Sequence, residues 1–528
     1  GRGSLLNTIN WFNNSELIRW GLDINRPGNI MSENVIQLDD RLVTPLDSEA
    51  EFFDLHGKLY FEGKTGNRWI ASLYYGGDFS NQLTSRLVRS FEQGQSFTED
   101  EFETENDWGN FSASLKRQGQ ISDKIYSHSL IGASLYESDF TKEDFVYTRL
   151  AEASGSRTIN VFTFPFENVS TMNQLKAEQS FDIIFNRFSI STGAAYFYYR
   201  GDYSERSFER PTFLAQEESS QVDGFLQIDI KDIPFTDISL GNRFHYYSNG
   251  NYTRFSPRFK MRLFPGSNIS LGLGFSRNHQ FLHRIGLDNA VTSDVWILST
   301  ETQPPASVNH YSAGIYISAI PRTFFQVEGF IKNSENLRLH EINVQTLSNT
   351  FADTPWFFEN EGEGRGIELL LRNMIGNISL THTYSLSSIK LRNPAILNGE
   401  SFFADWDRRH RYSATAEISI TPSLGFFASW FVASGVPENL ALNNSDLRED
   451  RLDTYKRLDL SLKFSDKFSF GGLDASITLY NVLDFNNPWY RDFTLAIDET
   501  RRLPRLRAVP VDVYDLGFQP SFQLVYSF

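Results

Sequence analysis

A chain of 528 residues without a single cysteine excludes a disulfide framework, a thiolate zinc site and a cysteine nucleophile. Its formal net charge of -16 argues against nonspecific nucleic-acid binding, which needs a basic face. Aromatic residues make up 15%, high for a soluble protein, yet mean hydropathy is only -0.36 and no run approaches the roughly 20 apolar residues of a spanning helix. An apolar face diluted by a polar residue at every second position reconciles these values. No composition shift or Pro/Ser-rich linker divides the chain, so one large repetitive architecture is expected.

In chain order, a first strand is predicted near residues 1–6, running outward because a long polar segment, 7–51, follows it. Beyond it Leu55, Leu59 and Phe61 alternate with Asp54, His56, Lys58 and Tyr60, the period of a half-apolar strand. The same alternation sets Phe111, Ala113 and Leu115 against Ser112, Ser114 and Lys116. It sets Ile269, Leu271, Leu273 and Phe275 against Ser270, Gly272, Gly274 and Ser276. Tyr412, Ala414, Ala416, Ile418 and Ile420 oppose Arg411, Ser413, Thr415, Glu417 and Ser419. Short turns are predicted near 63–68, 121–124, 186–187, 232–235, 265–268, 320–322, 374–377, 421–423 and at Gly471 and Gly472. Between them lie segments read as long polar loops: 77–107, 136–171, 280–304, 333–362, 390–407, 434–455 and 485–517. Short turns at one end and long loops at the other describe an outer-membrane barrel with its long loops outside the cell. Trp69, Tyr75, Tyr196, Tyr198, Tyr246 and Tyr311 stand at strand ends, as interfacial girdles do. His382 and Pro520 fall on the presumed outer face and fit it badly.

At the C-terminal end Leu458, Leu460, Leu462 and Phe464 alternate with polar residues, as do Leu473, Ala475, Ile477 and Leu479. A last strand carries Phe518, Phe522, Leu524, Tyr526 and the terminal Phe528 on one face. This ending, with Tyr455 to Leu460, Asn481 to Asp484, Glu361 to Leu369, Asp407 to Arg411, Ser256 to Arg258 and Leu271 to Gln280, resembles TonB-dependent outer-membrane receptors of the Bacteroidetes type. The resemblance implies an all-β transmembrane antiparallel barrel, with about 20 strands visible of 22, spanning 1–528. It also implies that an N-terminal plug and the first strands lie outside this chain. The start, Gly1 Arg2 Gly3 Ser4 Leu5, has no signal sequence, as expected of a mature or incomplete chain.

Candidate sites are sparse. The acidic run Glu99, Asp100, Glu101, Glu103, Glu105 and Asp107 offers hard oxygens to Ca²⁺ but lacks the spacing of a calcium loop, so a solvated loop is the plainer reading. Arg491, Arg501, Arg502, Arg505 and Arg507, with Trp489 and Tyr490, suit an anionic ligand at the extracellular mouth, against ion pairing with acidic loops or lipopolysaccharide. Trp356, Phe357 and Phe358, and Phe402, Phe403 and Trp406, form aromatic knots that read as interloop packing or ligand contact. Arg408, Arg409, His410 and Arg411 would need lumenal partners, for which a plug or the inward Glu417 and Glu368 are the candidates. No hydrolase, metalloprotease or phosphate-loop motif occurs, and no catalytic residue, metal or cofactor is expected.

The resemblance implies energised uptake of a ligand captured by extracellular loops, at the bacterial outer membrane. Its partners are the plug, the TonB–ExbB–ExbD complex, outer-membrane lipid or lipopolysaccharide, and a surface lipoprotein lid such as some relatives have. A plugless barrel serving as a passive or export pore or a surface scaffold is the alternative, and a secreted β-rich binding protein a third. The substrate stays open among siderophore, glycan, peptide and vitamin.

Overall fold

The computed structural model describes residues 2–3, 41–63, 66–89, 96–152, 155–207, 210–287, 290–340, 357–394, 399–404, 406–437, 451–469, 471–498, 505–514 and 517–527. All regular elements among them are strands. The first eight are β1 (Arg2–Gly3), β2 (Arg41–Glu62), β3 (Arg68–Arg89), β4 (Ser96–Ser122), β5 (Ile125–Glu152), β6 (Gly155–Ile184), β7 (Phe188–Ser207) and β8 (Arg210–Ile233). Then come β9 (Thr236–Tyr247), β10 (Tyr252–Leu263), β11 (Ile269–Gln280), β12 (Leu282–Leu287), β13 (Ala290–Leu298), β14 (Ala306–Ile317), β15 (Thr323–His340), β16 (Phe357–Ile375) and β17 (Ile378–Arg392). The last are β18 (Ser401–Phe403), β19 (His410–Thr421), β20 (Leu424–Ala433), β21 (Tyr455–Phe468), β22 (Gly471–Tyr480), β23 (Pro488–Asp498), β24 (Arg505–Tyr514) and β25 (Gln519–Ser527).

Twenty-one of these strands form one antiparallel sheet whose neighbours follow chain order, a meander from β1 to β25. Two hairpins, β12–β13 and β23–β24, stand outside it. Such a meander gives every interior strand two hydrogen-bonding neighbours, which is what a sheet in lipid requires. Among the described residues no pairing joins β25 to β1 or β2, and Phe528 lies outside them.

Alternation assigns the faces as the sequence predicts. Leu59, Ile131, Leu175, Leu273, Ile331, Ile367 and Phe522 are all exposed on the outer face, with Leu59 76% and Ile131 66% accessible. A soluble protein seldom leaves so long a band of large apolar side chains uncovered. Tyr75, Tyr196, Tyr246 and Tyr311 are exposed among them, as girdle residues should be. His382 has a partner on this face: its Nδ1 lies 2.9 Å from the Tyr412 hydroxyl on the next strand, with the rings stacked. Pro520 sits opposite Leu479 on β25, the last strand of the sheet, where a missing N–H is tolerated.

The turns lie close to their expected places. At the first, Gly63 N–H donates to Asn67 O at 2.8 Å and Gly66 takes φ +72°, which its lack of a side chain allows. The expected turn at Gly471 and Gly472 is displaced: Phe468 already pairs with Gly471, so both glycines belong to β22.

The long loops need larger correction. Segments 77–107 and 136–171 are mostly strand, since β3 and β4 stay paired as far as Arg89 and Phe97, and β5 and β6 as far as Glu152 and Gly155. The 7–51 segment likewise gives way to strand at Arg41. The reason is physical: six of the nine residues from Glu99 to Asp107 are acidic, which ends the apolar alternation, while the backbone ladder, which does not depend on side-chain polarity, continues. The acidic run is therefore strand: Asp100 lies opposite Arg86, Glu101 opposite Ser85 and Glu103 opposite Leu83. The 280–304 and 485–517 segments contain the two separate hairpins.

Placing a charge on the outer face tests this orientation. Leu273→Arg, near the middle of the apolar band, should destabilise the protein in vesicles by roughly 2–4 kcal/mol, whereas Ser276→Arg, on the opposite face of the same strand, should cost under about 1 kcal/mol. Urea titration of both variants in bilayers measures the difference.

Candidate functional site

The site begins where β10 and β11 part. Their pairing runs only from Leu263 and Leu271 up to Arg258 and Ser276, just below Pro257, which has no N–H to offer a neighbour. Above that level β11 pairs with β14 alone, and the chain leaves at Phe281 into the β12–β13 hairpin. This hairpin turns inward. β12 lies against β15, and β13 lies against β5, β6, β7 and β8, on the side of those strands opposite to exposed Leu175 and Tyr196.

Apolar packing holds it there. Met172, Tyr199, Tyr247, Phe281 and Leu298 form a buried cluster, with Tyr136, Tyr252, Leu282 and Trp296 packed around it. Tyr247 is fully buried and stacks on Phe281, with ring centroids 4.7 Å apart and planes at 18°. Gly201 makes room: a Cβ there would come within 2.7 Å of Met172 Cε. Direct hydrogen bonds fix the hairpin's position. The Tyr247 hydroxyl donates to Ser299 O at 3.2 Å, and the Tyr252 hydroxyl to Thr300 O at 2.8 Å. Trp296 N–H donates to Ser170 Oγ at 3.3 Å, and Arg338 Nη2 to Pro304 O at 2.8 Å.

Beneath the hairpin a polar chain is buried on β8 to β11. Asp223 Oδ1 lies 2.8 Å from His245 Nδ1, His245 Nε2 lies 3.1 Å from Ser256 Oγ, and Ser256 Oγ lies 3.0 Å from His279 Nδ1. Neutral imidazoles carrying their protons on Nδ1 satisfy all three contacts: His279 donates to Ser256, Ser256 to His245, and His245 to Asp223. Arg243 Nη1 reaches Asp223 Oδ2 at 3.4 Å and supplies the counter-charge. Asp, His and Ser in this order of contact are also the parts of a hydrolytic triad, but Ser256 is only 3% exposed and held between two imidazoles, so the arrangement ties the wall to the hairpin's root. Sequence reading missed it, because the residues are far apart in the chain. The available signal was register, which sets Asp223 directly opposite His245.

The residues singled out in the sequence fall elsewhere. Trp489, Tyr490 and Arg491 lie on β23 and Arg505 on β24, in a hairpin rather than an irregular loop, with Arg491 opposite Asp512 and Arg505 opposite Asp498. β23 runs beside β4 and β5. Arg501, Arg502 and Trp356 lie outside the described residues, and Phe357 is the first residue of β16. Trp406 is exposed between β18 and β19. Arg408 donates to Ser434 O at 3.0 Å and lies over the Tyr455 ring, and Arg409 lies over Phe403. Glu368, Ser385 and Arg411 share one lumenal row, with β17 between the two charges. The ion pair of this segment is instead Asp407, fully buried, with Arg451 at 2.5 Å; among the described residues neither Glu417 nor Glu368 forms one with Arg408, Arg409, His410 or Arg411. Among the described residues no group of three His, Cys, Asp or Glu side chains is placed to hold a metal.

No protein-family model matches the chain, and no curated protein does. Solved structures do. BauA, the ferric preacinetobactin receptor of Acinetobacter baumannii, is 10% identical, with a TM-score of 0.53 over 92% of this chain and 79% of its own. A point mutant of the ferric enterobactin receptor PfeA of Pseudomonas aeruginosa is 11% identical, with a TM-score of 0.55 and coverage of 92% and 79%. The outer membrane transporter YddB of Escherichia coli is 12% identical, with a TM-score of 0.53 and coverage of 92% and 76%. At such identities the likeness establishes the fold, that of large outer-membrane barrels.

Two expectations follow for the hairpin. Leu298→Ala removes a side chain from its buried anchor and should weaken docking by about 2–5 kcal/mol, read as faster hydrogen exchange in β12 and β13 with the wall strands unchanged. His283, whose Nε2 lies 3.0 Å from Ser299 Oγ, is buried, and burial with help from the Arg338 charge pushes its pKa down to about 3. An undocked hairpin would titrate it near ~6.5. Because the undocked state binds the proton more readily, docking is at full strength above pH ~6.5 and weakens as pH falls toward 3. His283→Phe should abolish that part of the pH dependence of exchange, after correction for intrinsic rates.

Proposed function

We propose that the chain is the barrel of an outer-membrane receptor that takes up a ligand captured at the extracellular mouth, with energy supplied by a TonB–ExbB–ExbD complex. The observation that carries this reading is the β12–β13 hairpin, docked inside a wide meander sheet whose outer face carries an apolar band. A ring this wide cannot fill its interior with its own side chains, so a constriction of returned chain separates selective uptake from free diffusion. The lumenal wall near the short turns supports a plug domain as the second component. His128, Asp182, Ser191, Asp229 and Lys231 line a groove of about 630 Å³ there, polar surface suited to a polar partner. The placement in the bacterial outer membrane belongs to the same proposal, as does a lipoprotein lid above the mouth.

The ligand class to assay first is an iron chelate, since receptors for ferric preacinetobactin and ferric enterobactin share this fold. Cells carrying the protein, and the same cells with its gene deleted, would be given labelled ferric chelates with and without a protonophore. Gene-dependent uptake that stops when the proton-motive force is dissipated is the expected result. Gene-dependent uptake that continues unchanged would make the protein a passive pore.

A further inference from the structure

On the outer face of β14 to β17 the apolar band is interrupted by a groove of about 610 Å³. Its lower row is Ala313, Gly329, Ile367 and Leu386, side by side across four strands; the row above is Tyr311, Ile331, Arg365 and Ser388. The depression exists because Ala313 and Gly329 are small where the flanking positions carry large side chains. Arg409 completes the lining beside Ser387, whose N–H donates to Arg409 O at 3.0 Å.

Height decides what the groove faces. Arg365 stands ten residues along β16 from Ile375 at the turn, roughly 33 Å of strand, which at the usual tilt is about 25 Å above the turns. That is the thickness of a barrel's apolar band, so the groove below Arg365 opens to acyl chains and the arginines meet the headgroup layer.

Cations gather here although the chain as a whole is acidic. Lys390, Arg409 and Arg451 surround one ring, Phe403, at 5.0, 5.3 and 5.0 Å from its centroid. Arg451 is neutralised by buried Asp407, Arg392 pairs with Glu361, and Arg365 reaches Glu363 only at 3.9 Å with both side chains well exposed. Among the described residues neither Lys390 nor Arg409 forms an ion pair within 4.0 Å, although Glu363 lies opposite Lys390 in register. Of these cations, Arg365, only loosely paired, and Arg409 line the head of the apolar groove. Guanidinium groups above a groove that fits a hydrocarbon chain match an amphiphile with a phosphate head.

We infer that the groove between Tyr311 and Arg409 on the outer face is a binding site for one phosphate-bearing anionic lipid, its acyl chain along Ala313, Gly329 and Ile367 and its phosphate between Arg365 and Arg409. The inference rests on the barrel's lying in a membrane, as proposed above.

The full chain would be assembled into nanodiscs of phosphatidylcholine with a minor fraction of phosphatidylglycerol, released, and examined by native mass spectrometry for retained lipid. Vesicle flotation run in parallel reports whether the protein enters a bilayer at all. The wild type should retain phosphatidylglycerol well above its share of the disc. Arg365→Gln and Arg409→Gln should each lower that enrichment about five-fold, and the double variant should abolish it. Gly329→Leu keeps every charge and meets no atom closer than 3.9 Å at its Cβ, yet fills the groove. It should therefore expel the lipid while leaving flotation unchanged. Millimolar inorganic phosphate should not displace it, because a free ion lacks the chain. Retention that is equal for both lipids, or insensitive to all three substitutions, in a protein that floats would overturn the site alone. Retention by phosphate-competable headgroup contact, or occupation of the groove by a second copy of the chain, would overturn it equally. A protein that does not float would overturn the barrel reading on which it rests.

Discussion

Backbone hydrogen bonding in hydrocarbon is the constraint on which the rest of this structure depends. A peptide group left unpaired in lipid costs several kcal/mol, so a strand can cross only with a partner on each side. The meander from β2 to β22 meets that demand strand by strand, and side chains are then free to do no more than alternate. Large apolar residues face out along the sheet, while the lumenal face is largely small or polar apart from the patch under the hairpin formed by Met172, Tyr199 and Tyr247. Among the described residues β25 is paired on one side only, with β22, and β2 meets β1 only at Asp54 and Phe53.

A wide ring solves the backbone problem and creates another, an interior its own side chains cannot fill. Here the answer is returned chain. The β12–β13 hairpin brings Leu298 and Trp296 onto Met172, Tyr199 and Tyr247, forming a buried core of ordinary globular character inside a lumen whose wall is otherwise polar. That core stands on the Asp223–His245–Ser256–His279 chain, which runs strand to strand through three side-chain contacts. A hairpin held by one apolar cluster and a few hydrogen bonds is separable from the wall in a way that a wall strand, bonded along both sides, is not.

The wall was legible in the sequence because lipid imposes a rule at every second residue: Ile269 to Ser276 carries it without a lapse, and the turn glycines at Gly63 and Gly66 mark where it resets. Legibility ended where the alternation ended: Glu99 to Asp107 look like loop because charge replaces the apolar period, although the ladder of β3 and β4 runs through them. The hairpin site was hidden for a different reason. His245 and Asp223 are unremarkable singly, and only the register of β8 against β9 makes them partners. The Asp407 segment lay between the two cases: its charged character and its place before a strand were readable, but the partner was Arg451, beyond β20, rather than Glu417 or Glu368.

In an outer-membrane barrel one face of the sheet meets hydrocarbon and the other an aqueous interior, and spin labels read that directly. Single-cysteine labels placed in turn from Ile269 to Gln280, in a chain that has no other cysteine, would be scanned in vesicles for collision with oxygen and with a water-soluble nickel chelate. The structure requires oxygen accessibility to peak at Leu271, Leu273 and Phe275 and the chelate to favour the positions between them, with a period of two residues. Equal accessibility at both sets, or chelate reaching Leu271, Leu273 and Phe275 freely, would contradict it.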